Sequence, residues 1–276
     1  MKARIKFSKC GSMRFIGHLD VMRYFQKAFR RAGIPISYSQ GFSPHQLMSF
    51  ASPLGIGLSS DAEYMDLTLD DCDTPQQMIE RMNTQMNEEI RVLDFTVLAE
   101  QAKPSMAMLA ACDYAVAVKA GKESFLLPDS ENGAGQYASV QELTDAFLAQ
   151  PKIERMKKTK RSEQLVDIRE NIYVMSGSWE IFEAGTMDHG EIRFLDPAAY
   201  TPVLYLQLTA GSIVNIKPEL VLQALADFSG CAWDPAAYQI HRLEMYADAD
   251  GKKGEVHTPY SATPCRLVPL SVYGQA

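Results

Sequence analysis

The sequence has few of the residues from which cofactor and metal sites are built. Its five cysteines are scattered and form no CxxC pair, which argues against a disulfide framework, a zinc ribbon or an iron–sulfur cluster. No two histidines stand four residues apart, the spacing that two metal ligands on one helix face need. No GxxxxGK[ST] loop is present, and Gly55-Ile56-Gly57 lacks the third glycine of a dinucleotide-binding fingerprint. We therefore predict no cofactor and no metal.

Long apolar runs are also missing. No run approaches the roughly 20 residues that a membrane-spanning helix needs. The first residues, "MKARIKFSKCGSMRF", alternate charged and apolar side chains and lack the apolar core of a signal peptide. With 46% hydrophobic and 22% charged residues, the composition is typical of a soluble globular protein. We expect no membrane partner and a cytoplasmic location.

Acidic residues are almost absent from the first part of the chain. Residues 1–60 contain nine Lys or Arg and one acid, Asp20, although the net charge of the whole chain is −7. A block of one sign is typical of a surface for an anionic partner. The alternative is that the acidic remainder of the same protein neutralises it.

A basic helix stands in this block. Apolar residues recur at helical spacing from His18 to Ala32 and predict a buried stripe made of Met22, Phe25, Phe29 and Ala32. The opposite side carries the cations Arg23, Lys27, Arg30 and Arg31. Gly33 and Pro35 predict the end of the helix.

The order of elements predicts an α+β fold. "KARIKFS" alternates as a strand does, and Thr74-Pro75 has the residues of a helix start, which gives the order β-α-β-β-α-β in the first half. The second half can be interpreted in the same way with insertions, including a strand at 190–195. We predict two tandem ferredoxin-like units, with domains at 1–103 and 104–247 and a loop-like tail at 248–276 that packs little.

His18 and Asp20 are the candidates for catalysis. They stand in the first turn of the basic helix, where free N–H groups and the helix dipole favour an anion. The imidazole of His18 could serve as a general acid or base on a phosphodiester. The alternatives are that His18 packs in the core, because it is in phase with Met22, and that Asp20 only complements the helix dipole.

The loop "YSQGFSPH" after the helix is a candidate for contact with nucleic-acid bases. Its Tyr38 and Phe42 can stack on bases, and Gln40 and His45 can hydrogen-bond to them. The alternative is a turn that needs its Gly and Pro for backbone reasons, with Phe42 tucked into the core.

A second basic run lies at residues 151–161, where six basic residues accompany one acid, Glu154. It could line a groove between the two units, or be a solvated strand end. The full set of predicted nucleic-acid contacts is Arg14, Arg23, Lys27, Arg30, Arg31, Tyr38, Gln40, Phe42, His45, Lys157, Lys158, Lys160 and Arg161.

Four segments, taken in order, resemble a bacterial family of unknown function, the radical-SAM-associated or radical-SAM-linked proteins. The segments are "MRFIGHLDVMRYFQKAFRRAGIPISYSQGFSPH", "SPLGIGLSSDAEYMDLTL", "KTKRSEQLVDIRENI" and "AGSIVNIKPELVLQAL". The resemblance implies a radical SAM protein encoded nearby or fused, often beside genes for a ribonuclease and ribosomal proteins. No catalytic residues are implied. The chain has no CxxxCxxC motif, which fits an accessory partner rather than the radical enzyme.

These observations lead to one functional expectation and two alternatives. We expect an accessory RNA-binding protein that presents RNA of the tRNA or rRNA class to a radical SAM enzyme. The first alternative is a metal-independent RNA-processing or RNA-modifying enzyme centred on His18. The second is an interaction module whose basic face docks on the radical SAM partner. Tandem ferredoxin-like units are also similar to those of CRISPR repeat-processing endoribonucleases, an analogy of fold alone.

Overall fold

The computed structural model describes residues 1–127, 135–158, 163–251, 258, 260 and 265–276, apart from the side chain of Lys158. The strands in these residues are β1 (Lys2–Lys9), β2 (Met48–Phe50), β3 (Ser59–Thr68), β4 (Val92–Leu98), β5 (Leu109–Lys119), β6 (Glu154–Lys158), β7 (Glu163–Asp167), β8 (Ile172–Ser176), β9 (Tyr200–Thr209), β10 (Tyr238–Asp248) and β11 (Leu267–Pro269). The α-helices are α1 (His18–Arg31), α2 (Pro75–Asn83), α3 (Ser105–Met108), α4 (Val140–Leu148), α5 (Trp179–Gly185) and α6 (Pro218–Ser229).

One large sheet runs through both halves of the chain. Its strand order is β4-β1-β3-β10-β5-β9-β8, with β2 added beside β3 and β11 beside β10. Neighbouring strands are antiparallel except β3 and β10, which pair in parallel and join the halves. Strands β6 and β7 form a separate hairpin. The predicted α+β class is confirmed, in the form of a mostly antiparallel sheet with helices.

Helices α1 and α2 cover one face of the first half. Alternate residues of β1, Ala3, Ile5 and Phe7, are buried on that face. Phe7 lies edge-to-face against Phe25 of α1, with the ring centroids 4.8 Å apart. Lys2, Arg4 and Lys6, which alternate with these residues, therefore point to the opposite face of the sheet, where Lys6 takes part in a cavity described below.

The predicted amphipathic helix is present as α1. Phe25 and Phe29 are buried as the spacing predicted, whereas Met22 and Ala32 are only half-buried and Val21 and Ala28 complete the buried stripe. Gly33 follows the helix with a φ of 62°, in the left-handed region that suits glycine. The basic side chains opposite the stripe stay exposed.

Two predictions about the second half are wrong. Residues 190–195 form no strand, because the backbone amides of Arg193 and Phe194 donate to the carboxylate of Asp61 instead of to a strand. The end of the tail also packs more than expected. Strand β11 pairs with β10, Leu270 is buried, and the Arg4 guanidinium donates to the carbonyl of Leu270 at 3.0 Å. Long-range partners of this kind leave no local pattern in the sequence.

No helix in the described part of the chain is long and apolar enough to cross a membrane. The predicted boundary near residue 103 stays a prediction, because the sheet is continuous across it.

Candidate nucleic-acid interface

The outer face of α1 presents the predicted cations to solvent. Arg23 pairs with Asp20 at 3.4 Å, and Arg31 donates to the carbonyl of Gln85 at 2.8 Å. Lys27 and Arg30 are exposed and have no ion-pair partner among the described residues. Because an exposed pair such as Arg23–Asp20 is weak, Arg23 also remains open to an anion. Asp20 thus has a local role on the helix surface.

The predicted base-contact loop is a narrow ladder beside α1. The amide of Ser39 donates to the carbonyl of His45 at 2.8 Å, and the amide of Leu47 donates to that of Ser37 at 2.9 Å. The Ser39 hydroxyl lies 2.8 Å from the His45 Nδ1. Gly41, at the tip, has a φ of 110°, which other residues rarely adopt. The turn therefore depends on this glycine.

This ladder holds an aromatic side chain out in solvent. Phe42 is fully exposed, so the alternative that it packs in the core is wrong. Tyr38 is 46% exposed, and Gln40 is exposed too. The Gln46 amide ties the loop to the helix by donating to the Gln26 carbonyl at 3.4 Å. The structure therefore brings the predicted loop and the predicted helix together.

The remaining predicted contacts are scattered. Arg14 is half-buried in a 3-10 turn (Gly11–Phe15), where it donates to the carbonyl of Gly11 and lies over the ring of Phe15 at 4.6 Å. Lys157 stands on the β6–β7 hairpin, which is attached to α6 because Arg155 donates to the carbonyl of Ala224. Lys160, Arg161 and the Lys158 side chain lie outside the described residues.

His18 lies beside a buried charge cluster that the sequence did not indicate. Its half-buried ring meets Phe50 edge-to-face at 4.8 Å and lines a cavity of about 10 Å³ together with Lys9 and Glu63. This volume is about enough for one water molecule. His18 is therefore neither in the core nor free in solvent, and two buried ionisable groups share its cavity.

The cluster is centred on an ion pair between β3 and β10. The Arg242 Nη1 donates to the Glu63 carboxylate at 2.9 Å and to the carbonyl of Ser52 at 3.3 Å. Lys9 donates to the carbonyl of Ile16, just before α1, at 3.0 Å. Burial raises the pKa of Glu63, although the Arg242 charge opposes this, and burial lowers the pKa of Lys9. Each group is thus held by its neighbours in a site with little water.

The described residues contain no group of three His, Cys, Asp or Glu side chains arranged to hold a metal ion. A family model described as an uncharacterized protein conserved in bacteria, DUF2344, matches residues 2–218. The chain belongs to this family. No curated protein matches it in sequence.

The part of this DUF2344 protein that matches the family model includes α1, the loop after it, Lys9 and Glu63. It ends at the first residue of α6, so β10 with Arg242 lies outside the matched range. The exposed face of α1 and the loop after it thus lie wholly inside the range that the family model matches. Of the buried ion pair, Glu63 lies inside this range and Arg242 lies outside it.

We expect His18 to be neutral at pH 7. Burial, and then the nearby charge of Lys9, lower the pKa of His18 below its ordinary value of 6.5. An NMR titration of the ring protons should give a midpoint below that value. Lys9→Met removes the charge and should move the midpoint upward; an unchanged midpoint would show that Lys9 does not act on His18.

Proposed function

We propose that this protein binds single-stranded RNA through the outer face of α1 and the loop that follows it. The observation that carries the proposal is the fully exposed ring of Phe42 on a loop tied to a helix with exposed cations. Exposing a phenylalanine costs hydrophobic free energy, so a ring held out by a ladder of hydrogen bonds favours an external partner.

The cations of α1 suit the phosphate of a nucleotide, and the aromatic side chains of the loop suit its base. Lys27 and Arg30 can neutralise phosphates, and Tyr38 and Phe42 can stack on unpaired bases. A duplex offers no open base faces, so the aromatic side chains favour a single strand over a duplex. We propose RNA of the tRNA or rRNA class, in a loop or an unpaired end.

We also propose that the protein is the accessory partner of a radical SAM enzyme. This part rests on the resemblance given above and on the missing CxxxCxxC motif. A fold of two ferredoxin-like units is part of the same proposal. In the first half β1 lies between β3 and β4 with β2 outside β3, and in the second half β5 lies between β9 and β10 with β8 outside β9. The repeated order supports the interpretation.

The test is the salt dependence of RNA binding. We expect a labelled single-stranded RNA to bind with an affinity that falls as salt rises, and to bind more tightly than a duplex of the same sequence. Lys27→Ala/Arg30→Ala should weaken binding and flatten the plot of log affinity against log salt by about 0.7 for each phosphate that the protein no longer neutralises.

A matched control is Lys103→Ala/Lys122→Ala, which removes two other exposed cations away from α1. It carries the same change in net charge, so general electrostatic attraction predicts equal effects of the two double variants. Equal effects, or no binding by the unaltered protein, would refute the proposed surface.

A second candidate function is RNA cleavage or modification centred on His18. The observation that favours it is the cavity shared by His18, Lys9 and Glu63, because a buried amine and carboxylate beside an imidazole are groups that can move protons. Incubation of RNA with the protein and with His18→Ala decides it. Turnover abolished in the variant at an unchanged melting temperature supports the enzyme; a large fall in melting temperature supports a packing role.

A further inference from the structure

A polar cavity of about 350 Å³ lies on the face of the sheet that α1 and α2 leave open. Its floor is formed by Lys6, Asp61 and Glu244 on three strands of the sheet, and its wall by residues 187–193. The volume lies in the range of sites for small molecules. The cavity and the proposed RNA surface lie on opposite faces of β1.

The charged groups of the floor already have partners. The carboxylate of Glu244 accepts from the Lys6 ammonium at 2.8 Å and from the Tyr64 hydroxyl at 2.6 Å. Asp61 lies 2.9 Å from the His241 Nε2 and accepts two backbone amides from the wall. These contacts lower the pKa of Asp61 against the effect of burial. The floor is therefore a rigid platform rather than a set of free ligands.

His189 is one of the residues that line this cavity, and its side chain is almost wholly buried. The side chain is only 6% exposed, stacks on Phe182, and places its Nε2 3.0 Å from a carboxylate oxygen of Asp113. Tyr246 donates to the same oxygen at 2.6 Å. A carboxylate beside Nε2 favours the tautomer with the proton there. The Nδ1 then keeps a lone pair, has no partner among the described residues, and belongs to a ring that lines the cavity.

The other groups with open positions around the cavity are mainly acceptors as well. Asp188 and Glu191 on the wall and Asp94 on β4 contribute three carboxylates, against the single guanidinium of Arg193. Among the described residues, Asp94 receives only the hydroxyl of Thr96, at 3.2 Å, and Asp188 only the amide of Gly190. The open positions thus call for a ligand that is positively charged and carries several N–H donors.

We propose that this cavity binds a small organic amine of the diamine or polyamine class. One ammonium group donates to the Nδ1 of His189, and further ammonium groups pair with Asp94 and Glu191. The aliphatic stem of such a ligand can lie along Leu93 and Leu243, the apolar residues of the lining. The proposal is independent of RNA binding by α1.

The test is calorimetric titration of the full chain with putrescine and with spermidine, at constant ionic strength. We expect saturable binding at one site. Asp94→Asn and Glu191→Gln should each weaken it about tenfold, the effect expected for one charge-assisted hydrogen bond. Glu88→Gln is the matched control, since Glu88 is an exposed acid away from the cavity, and it should bind as the unaltered protein does.

Each other outcome rejects the site. Binding that Glu88→Gln weakens as much as Glu191→Gln is general attraction to an acidic protein. Displacement of the amine by an equal concentration of Mg²⁺ indicates an inorganic cation site instead. Absence of heat with both amines, or saturable binding of glutamate or phosphate in their place, shows that the ligand is not an amine.

Unchanged melting temperatures of the variants show that the fold is retained.

Discussion

Arg242→Met should lower the free energy of unfolding by roughly 3–5 kcal/mol, the cost of leaving one member of a buried ion pair alone. Both Arg242 and Glu63 are almost wholly buried, and the guanidinium also holds the carbonyl of Ser52 and lies over the ring of Tyr114. Without it, Glu63 must lose its charge or remain unpaired in a dry site, since burial already raises its pKa. Urea unfolding followed by circular dichroism measures the decrease.

Two further variants show whether an unpaired buried charge causes the decrease in the free energy of unfolding. Glu63→Gln/Arg242→Met removes both charges and should recover part of the stability, because no unpaired carboxylate remains. Arg23→Met removes an arginine from the exposed pair with Asp20 and should cost less than about 1 kcal/mol. If Arg242→Met unfolds at the same urea concentration as the unaltered protein, the pair does not join the two halves as described.

This ion pair also shows the limit of prediction from the sequence. Glu63 and Arg242 come from strands far apart in the chain, and the backbones of β3 and β10 pair only at Ser59 and Ser60. No sequence periodicity predicts this strand pairing, because Glu63 and Arg242 each fit the pattern of a charged residue in an alternating strand. The pairs of His241 with Asp61 and of His189 with Asp113 were missed for the same reason.

Local features were predictable where a short segment decides its own structure. The Thr74 hydroxyl caps α2 by accepting from the amide of Gln77, at the helix start that Thr74-Pro75 predicted. The buried stripe of α1 follows from spacing alone. His18 shows the intermediate case. Its helical phase favoured packing in the core, whereas the ring is only half-buried. Its neighbours Lys9 and Glu63 come from β1 and β3, which the helix pattern cannot reveal.

The sequence predicted a turn with an aromatic residue after α1, but it did not predict whether the ring of Phe42 is exposed. An aromatic residue beside Gly and Pro fits both a turn with a buried ring and a turn with a free one. The hydrogen bonds between Ser39 and His45 decide it, because they close the turn with Phe42 at its tip and leave the ring without neighbours to pack against. The same exposure makes Phe42 the residue whose removal should affect RNA most.

Phe42→Ala should weaken the binding of single-stranded RNA about 5- to 150-fold, which corresponds to the roughly 1–3 kcal/mol that stacking on one base contributes. The melting temperature should not change, since the ring packs on nothing in the free protein. Ile213→Ala, which truncates another exposed apolar side chain in the second half of the chain, should leave the affinity unchanged. Fluorescence anisotropy of a labelled RNA at fixed salt measures all three proteins.

Two more replacements separate stacking from simple apolar contact. Phe42→Trp keeps an aromatic face and should retain the affinity, whereas Phe42→Leu keeps apolar area without a ring and should weaken binding nearly as much as alanine does. Retention of RNA affinity by the leucine variant would contradict stacking. A different result would show that the loop docks a protein instead. RNA binding would then be unaffected by all of these replacements, whereas Phe42→Ala would abolish an interaction with a protein partner that persists after nuclease treatment. A protein-docking surface needs the apolar area of the side chain and no nucleic-acid base.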